Sequence, residues 1–252
     1  MKQAMIFAAG LGTRLKPLTD TMPKALVPVG GQPLLYHVVM RLKDAGFERI
    51  VVNVHHFADQ IIDYLHANQN FGLDIRISDE REQLLETGGG IKKAMPLFDT
   101  GSPILIHNVD ILSNLDLKSL PMDAPMLVVS ERKTKRYLLF DDDMRLQGWT
   151  NIETGELKGP VSHLSPLTSH LSPLTSHLSP LKKLAFSGIH VFHPSLVPLL
   201  DDWQERFPIM DFYLKACATH LIKGYEAPDL RLLDVGKLDT LDQAEKFITN
   251  NI

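Results

Sequence analysis

Ala4-Met-Ile-Phe-Ala-Ala-Gly-Leu-Gly-Thr-Arg-Leu-Lys-Pro-Leu-Thr-Asp-Thr-Met-Pro-Lys-Ala-Leu-Val-Pro-Val-Gly-Gly-Gln-Pro33 decides the fold of this chain. Its apolar opening, Ala4 to Ala9, has the length of a buried strand. Gly10 and Gly12 follow at once. A glycine-rich turn after a strand lets several backbone N–H groups converge on one anion, and the missing Cβ atoms let that anion come close. Ala8, Ala9, Gly10, Gly12 and Thr13 are therefore candidate nucleotide contacts. Arg14 and Lys24 add two positive charges, and Pro17, Pro23 and Pro28 stiffen the path between them. Amides, an arginine and a lysine on one proline-braced loop suit a polyphosphate.

Two other phosphate loops do not fit. No Gly-x-x-x-x-Gly-Lys-Ser/Thr string occurs at this turn. A dinucleotide fingerprint needs a third glycine where Leu15 stands. The whole string resembles instead the N-terminal motif of the sugar-1-phosphate nucleotidylyltransferases: Gly-x-Gly-x-Arg-x-x-Pro-Leu-Thr, then Pro-Lys-x-Leu-x-Pro-Val. Every fixed residue of that pattern is present. The resemblance implies an α/β fold: a Rossmann-like mixed, mostly parallel sheet with helices on both faces.

The order of elements agrees. Leu34, Leu35, Val38, Val39 and Leu42 repeat with helical period, and Gly46 stands at a helix stop. Ile50–Val54, Leu73–Ile77 and Ile104–His107 read as strands, with helices around 61–65 and 90–97 between them. Such alternation implies a parallel sheet covered on both faces. Past Asp110, segments 125–130, 136–140 and 144–149 read as a small antiparallel or mixed extension without helices. A strand at 184–192, helices around 195–200 and 210–222, a strand at 230–235 and a closing helix complete the pattern.

Composition sets the class. At 252 residues, 44% hydrophobic and 22% charged, the chain fits one globular domain over 1–252. A net charge of −4 gives no nucleic-acid footprint. One cysteine, Cys217, excludes an internal disulfide. No signal peptide or apolar run of membrane-spanning length is evident, so a cytoplasmic protein without nucleic-acid or membrane partners is expected. A monomer or small homo-oligomer with no fused second activity is the expectation. One segment breaks the rhythm: His163–Ser169 is repeated as His170–Ser176 and, in part, as His177–Leu181. Prolines in every copy exclude a coiled coil, and the stretch 160–182 reads as a tandem insertion in a loop.

The chemistry concentrates in two acids. Asp110 follows the strand 104–107, and ligands of open parallel sheets collect at carboxyl ends of strands. By position alone it is equally a turn residue. The resemblance favours a metal ligand: Asn108-Val-Asp110 is similar to the family's Asn-Gly-Asp, with Val109 in place of glycine. Asp234, in Leu232-Leu-Asp-Val-Gly236, resembles the family's second metal ligand, with Lys237 in place of threonine. Two carboxylates with water and phosphate oxygens suit Mg²⁺. Gln83 and Gly88 have the spacing of the Gln and Gly that contact the pyrimidine in uridylyl- and thymidylyltransferases. The string Leu85–Gly90 resembles the branch that includes N-acetylmuramate-1-phosphate uridylyltransferases. On the sugar side, Phe186–Phe192 resembles the strand after the family's sugar-phosphate lysine. Lys182 and Lys183 are the nearest cations, and Trp149 and Asn151 are candidate sugar neighbours.

The resemblance implies a reaction between a nucleoside triphosphate and a sugar 1-phosphate, giving nucleotide-sugar and pyrophosphate. Gln83 points to UTP. Asp110 and Asp234 are expected to hold the metal, Arg14 to stabilise the triphosphate and departing pyrophosphate, and Lys24 to bridge the reacting phosphates. Two rivals stand: the same chemistry on other substrates (GTP with mannose or heptose 1-phosphate, or CTP with phosphocholine), and a silent nucleotide-sugar-binding subunit.

Overall fold

A computed structural model describes residues 1–162, 181–227 and 229–251. The heptapeptide copies fall within 163–181, almost wholly outside the described residues. In chain order the elements are β1 (Lys2–Phe7), β2 (Pro28–Val29), β3 (Gln32–Pro33), α1 (Leu34–Asp44), β4 (Phe47–Val54), α2 (Ala58–Ala67), β5 (Asp74–Asp79) and α3 (Glu86–Ala94). Next come β6 (Ile104–Asn108), β7 (Ile111–Ser113), β8 (Met126–Ser130), β9 (Arg136–Phe140), β10 (Leu146–Asn151) and β11 (Leu157–Lys158). β12 (Lys182–Phe192), α4 (Ile209–Ala216), β13 (Lys223–Glu226), β14 (Leu232–Asp234) and α5 (Leu241–Asn251) follow.

One large mixed sheet runs β11-β10-β9-β12-β6-β1-β4-β5, with β8 on β12 and β13 on β8. β6, β1, β4 and β5 are parallel. β12 joins β6 antiparallel and continues into β9, β10 and β11. The expected antiparallel extension is thus continuous with the main sheet, because the eleven-residue β12 is long enough to serve both parts. β7 and β14 form a separate two-stranded ladder.

Strand alternation sorts the core into two layers. Ala4 and Ile6 of β1, and Ile50, Val52 and Val54 of β4, face α1, α2 and α5. Met5, Val51 and Ile106 face α3 and α4. α1 shows why these helices form. Its buried residues Leu34, Leu35, Val38, Val39 and Leu42 lie on one stripe, each contributing on the order of 1.5–3 kcal/mol by burial. The helix stops at Gly46, whose φ of +82° belongs to the left-handed region.

The register of the parallel strands positions the site. Phe7 pairs with Asn53 on one side and Asn108 on the other, and Val54 pairs with Asp79. The carboxyl ends of four strands therefore finish level, and the chain beyond each opens on the same side.

Candidate active site

A cleft of about 250 Å³ lies at those strand ends, lined by Ala8, Ala9, Gly10, Lys24, Asn53, Glu80 and Asp110 among others. The loop after β1 forms one wall. Gly12 has a φ of +64°, and a Cβ there would stand 2.9 Å from Thr19 Cγ2 and 3.0 Å from Lys24 Cβ. Only glycine lets the turn close this tightly on the lysine. The Thr19 hydroxyl donates to Gly12 O at 2.9 Å and closes the loop from inside.

Lys24 is only 8% exposed, and its ammonium is ion-paired with Asp110 Oδ2. Asp110 sits in the turn between β6 and β7, held against β1 by the Val109 N–H, which donates to Phe7 O. Val109, in place of glycine, is buried and leaves this turn intact.

Asp234 reaches the same place by a different route. β14 pairs antiparallel with β7, setting Asp234 opposite Ile111, and the Val235 N–H donates to Asp110 O at 2.8 Å. Two acids 124 positions apart in sequence thus become neighbours through a three-residue ladder. Partial desolvation, and then the charge of Asp110, hold the Asp234 carboxyl above its ordinary value. Lys24, Arg14 and Arg132 act in the opposite direction. Arg14 closes the ring: a Cβ on Gly236 would stand 2.7 Å from Asp234 Oδ1 and 2.8 Å from Arg14 Nη2.

The donor set fits a hard divalent cation. Two carboxylates converge, and the repulsion between them is the kind a cation relieves. Among the described residues no group of three or more His, Cys, Asp or Glu side chains forms a metal cluster, so phosphate and water oxygens would complete the coordination.

Sequence reasoning missed the brace behind the loop. Asn53 Oδ1 accepts from the Ala8 N–H at 2.7 Å and from the Ala9 N–H at 3.3 Å. Its Nδ2 donates to Glu80 Oε1 at 2.8 Å, and Glu80 Oε2 accepts from the Leu85 N–H. Glu80 is fully buried, and desolvation raises its carboxyl pKa against the pull of these bonds. The available signal was an asparagine in the otherwise apolar strand Ile50–Val54.

Residues 3–124 match the family model described as Nucleotidyl transferase. Residues 3–124 form a nucleotidyl transferase domain. The chain is 53% identical over 111 residues to the N-acetylmuramate alpha-1-phosphate uridylyltransferase of Caulobacter vibrioides, covering 43% of this chain and 46% of that protein. It is 46% identical over 114 residues to the same-named protein of Neisseria meningitidis serogroup B, covering 45% and 49%. The chain thus spans about half the length of the curated relatives it matches. In fold it superposes on HddC from Yersinia pseudotuberculosis complexed with GMP-PN, with a TM-score of 0.74 at 23% identity, covering 98% of this chain and 100% of that one.

Within and beside this nucleotidyl transferase domain, the expected residues divide. Ala8, Ala9, Gly10, Lys24 and Asp110 line the cleft at the strand ends, Gly12 packs on Lys24, and Arg14 and Asp234 both border Gly236. Thr13 follows Gly12 in the loop and is not on the cleft lining. Gln83 is not on it either. It is exposed and lines a separate depression with Glu82, Lys92 and Glu205. Leu84, Glu86 and Thr87 line the main cleft instead.

The three glycines 88–90, whose run permits either close backbone approach or a turn, lie inside α3 and are buried. They are packing residues. A Cβ on Gly88 would stand 2.2 Å from the Phe207 ring, and one on Gly89 only 2.0 Å from Glu205 O. The Gly88 N–H already donates to Phe207 O at 2.8 Å.

Trp149 and Asn151 line a second cleft, of about 520 Å³, between β9, β10 and the start of α4. Lys183 is absent from its lining. It is exposed on β12, and alternation sets it on the face opposite Phe186, which does line the cleft. Lys182 is ion-paired with Glu226 at 2.5 Å. The cations of this cleft are Arg132, Arg136 and Lys158.

Proposed function

We propose that this chain transfers a uridylyl group from UTP to a sugar 1-phosphate, releasing pyrophosphate, with Mg²⁺ at Asp110 and Asp234. One observation carries the reading: two acids distant in sequence meet beside a glycine loop that brings Arg14 and Lys24 to the same point. The choice of UTP rests on the names of the relatives, since Gln83 lies outside the cleft.

The chemistry needs no protein nucleophile. A phosphate monoester is already an anion at neutral pH. Its oxygen attacks the α-phosphorus, a new P–O bond forms, and the bond to the bridging oxygen breaks with its electrons leaving on pyrophosphate. The barrier is electrostatic, because one anion approaches another while charge grows on the leaving group. Bound Mg²⁺ would neutralise phosphate charge and fix the reacting oxygens in place.

The chain's own residues do the rest. Amides of the Ala8–Gly10 loop, held by Asn53, cradle the triphosphate. Arg14 takes up charge on the departing pyrophosphate. Lys24, held by Asp110, spans the reacting phosphates. The base would lie against the Leu84–Thr87 segment, and the sugar would occupy the cleft of Trp149 and Asn151. Such fixed charges act at the transition state without reorganising.

Pyrophosphate release tests this across UTP, GTP, CTP and dTTP with a panel of sugar 1-phosphates. The expected result is Mg²⁺-dependent release with UTP exceeding the others. Release with none of the pairs, alongside tight binding of a nucleotide-sugar, would mark a silent binding protein and end the enzymatic reading.

A further inference from the structure

Two parts of the main cleft hang on one buried pair of side chains. Asn53 lies near the carboxyl end of β4 and Glu80 directly follows β5. Both are buried and both belong to the cleft lining. The backbone decides how the Asn53 amide points. Ala8 and Ala9 present N–H donors at 2.7 and 3.3 Å, so the atom facing them is Oδ1. Nδ2 is thereby turned to Glu80 Oε1, at 2.8 Å. The other carboxyl oxygen, Oε2, accepts from the Leu85 N–H at 3.1 Å.

This arrangement needs an acid at position 80. Its two oxygens meet two donors, and a glutamine of the same shape would turn its own NH₂ on one of them. A buried carboxylate is costly, and among the described residues no ion pair includes Glu80. Packing does not require the acid either, since a carboxamide fills the same volume. The Glu80 backbone is anchored as well. Its N–H donates to Val54 O at 2.8 Å, and its O accepts from the Gln83 N–H at 3.1 Å and from His55 Nδ1 at 2.7 Å. Gly90 makes the room: a Cβ there would stand 2.9 Å from Glu80 Oε1 and 3.3 Å from Asn53 Nδ2.

We infer that Glu80 is a positioning residue for the nucleotide, acting through Asn53 on the glycine loop and through Leu85 on the segment 84–87. This rests on the nucleotidyl-transfer reading above. Asn53 fixes the two peptides from which the loop departs. Gly10 comes next, lines the cleft, and has no protein acceptor for its N–H among the described residues. Leu85 lies between Leu84 and Glu86, both on the same lining. One carboxyl thus sets the loop that cradles the triphosphate and the segment against which the base lies. Neither Asn53 nor Glu80 lines the second cleft, so disturbing the pair should weaken the nucleotide and spare the sugar phosphate.

The test exchanges the pair. Glu80→Gln sets a donor against the Asn53 amide or the Leu85 N–H. Asn53→Asp sets two acids together. With both substitutions every group is satisfied again: the introduced aspartate accepts from Ala8, Ala9 and the introduced carboxamide, whose oxygen still accepts from Leu85. Calorimetry reads Kd for UTP with Mg²⁺. Pyrophosphate release reads KM for UTP and for the sugar 1-phosphate that wild type turns over fastest, and a thermal melt reads folding. Each single variant should weaken UTP roughly 10- to 100-fold in Kd and KM, the scale of one buried partner lost. KM for the sugar phosphate should stay within about threefold, and the double variant should return UTP to within about threefold of wild type. If a single variant does not fold, Asn53→Ser takes its place, because it cuts the link to Glu80 without adding a charge, and the same weakening is expected. UTP held as tightly as by wild type in a folded single variant, equal weakening of both substrates, or a double variant no better than the singles overturns the inference while nucleotidyl transfer stands. UTP bound by wild type without turnover of any sugar phosphate overturns the transfer reading, and Kd still decides the role of Glu80. No binding of UTP by wild type overturns both.

Discussion

Asp110→Asn should lower turnover by about 10²–10³-fold, the usual cost of removing one fixed transition-state charge. The substitution keeps the shape of the side chain and one acceptor oxygen for Lys24, so the loop need not collapse. It removes a negative charge from a point where two carboxylates and two cations meet. On the proposed reading, a bound divalent ion would lose one of its two carboxylate ligands. Asp234 also loses the neighbouring charge that helps hold its carboxyl above the ordinary value. The Asp234 carboxyl should therefore titrate lower in the variant, an NMR-observable change opposite in sign to any caused by further burial. Steady-state kinetics with saturating Mg²⁺, beside a thermal melt to show the fold is intact, checks the rate. Turnover within a few-fold of wild type would remove Asp110 from the chemistry.

Gly89→Ala should destabilise the protein by about 3 kcal/mol, at the upper end for overpacking. Two effects compete. Alanine favours a helix interior over glycine by about 1 kcal/mol, so propensity alone would stabilise α3. Against that, the new Cβ would stand 2.0 Å from Glu205 O and 3.0 Å from Leu85 Cβ. The first of these is backbone, which cannot rotate away as a side chain does. The segment carrying it is tied to α3, since Phe207 O accepts from the Gly88 and Gly89 N–H groups. Relief requires α3 to withdraw from the 205–207 segment, which would disturb Leu84 and Thr87 at the cleft. For a chain of this size the loss corresponds to a fall in Tm of roughly 6–12 °C, measurable by calorimetry. An unchanged or raised Tm would mean that propensity outweighs the contact and that the glycines are not packing residues.

The parallel half of the fold was legible because its central strands are apolar runs and α1 and α2 carry apolar stripes of helical period. Leu34 to Leu42 and Ile50 to Val54 are unambiguous in period, and Arg136–Phe140 has the expected bounds. The ladder that makes the site was harder to see. β7 and β14 have three residues each, too few for a pattern, so only their pairing shows how Asp234 reaches Asp110. Glycine runs are ambiguous for a related reason. Gly88–Gly90 permits a turn or a close helix contact, and only the position of Phe207 decides between them. Gln83 has the right spacing from Gly88, but α3 begins at Glu86 and leaves the glutamine outside the cleft. Lys183 failed on alternation, since one step along β12 changes the face. Arg132 and Arg136 carry no motif of their own, and their meaning comes from the cleft they share.

Manganese binding tests the central claim most directly. With UTP or a non-hydrolysable analogue present, wild-type protein should bind one Mn²⁺ at the site, detected by electron paramagnetic resonance. Asp110→Asn and Asp234→Asn should each weaken it at least tenfold, and the double variant should abolish it. If either single variant binds the ion as tightly as wild type, the two acids do not share a cation.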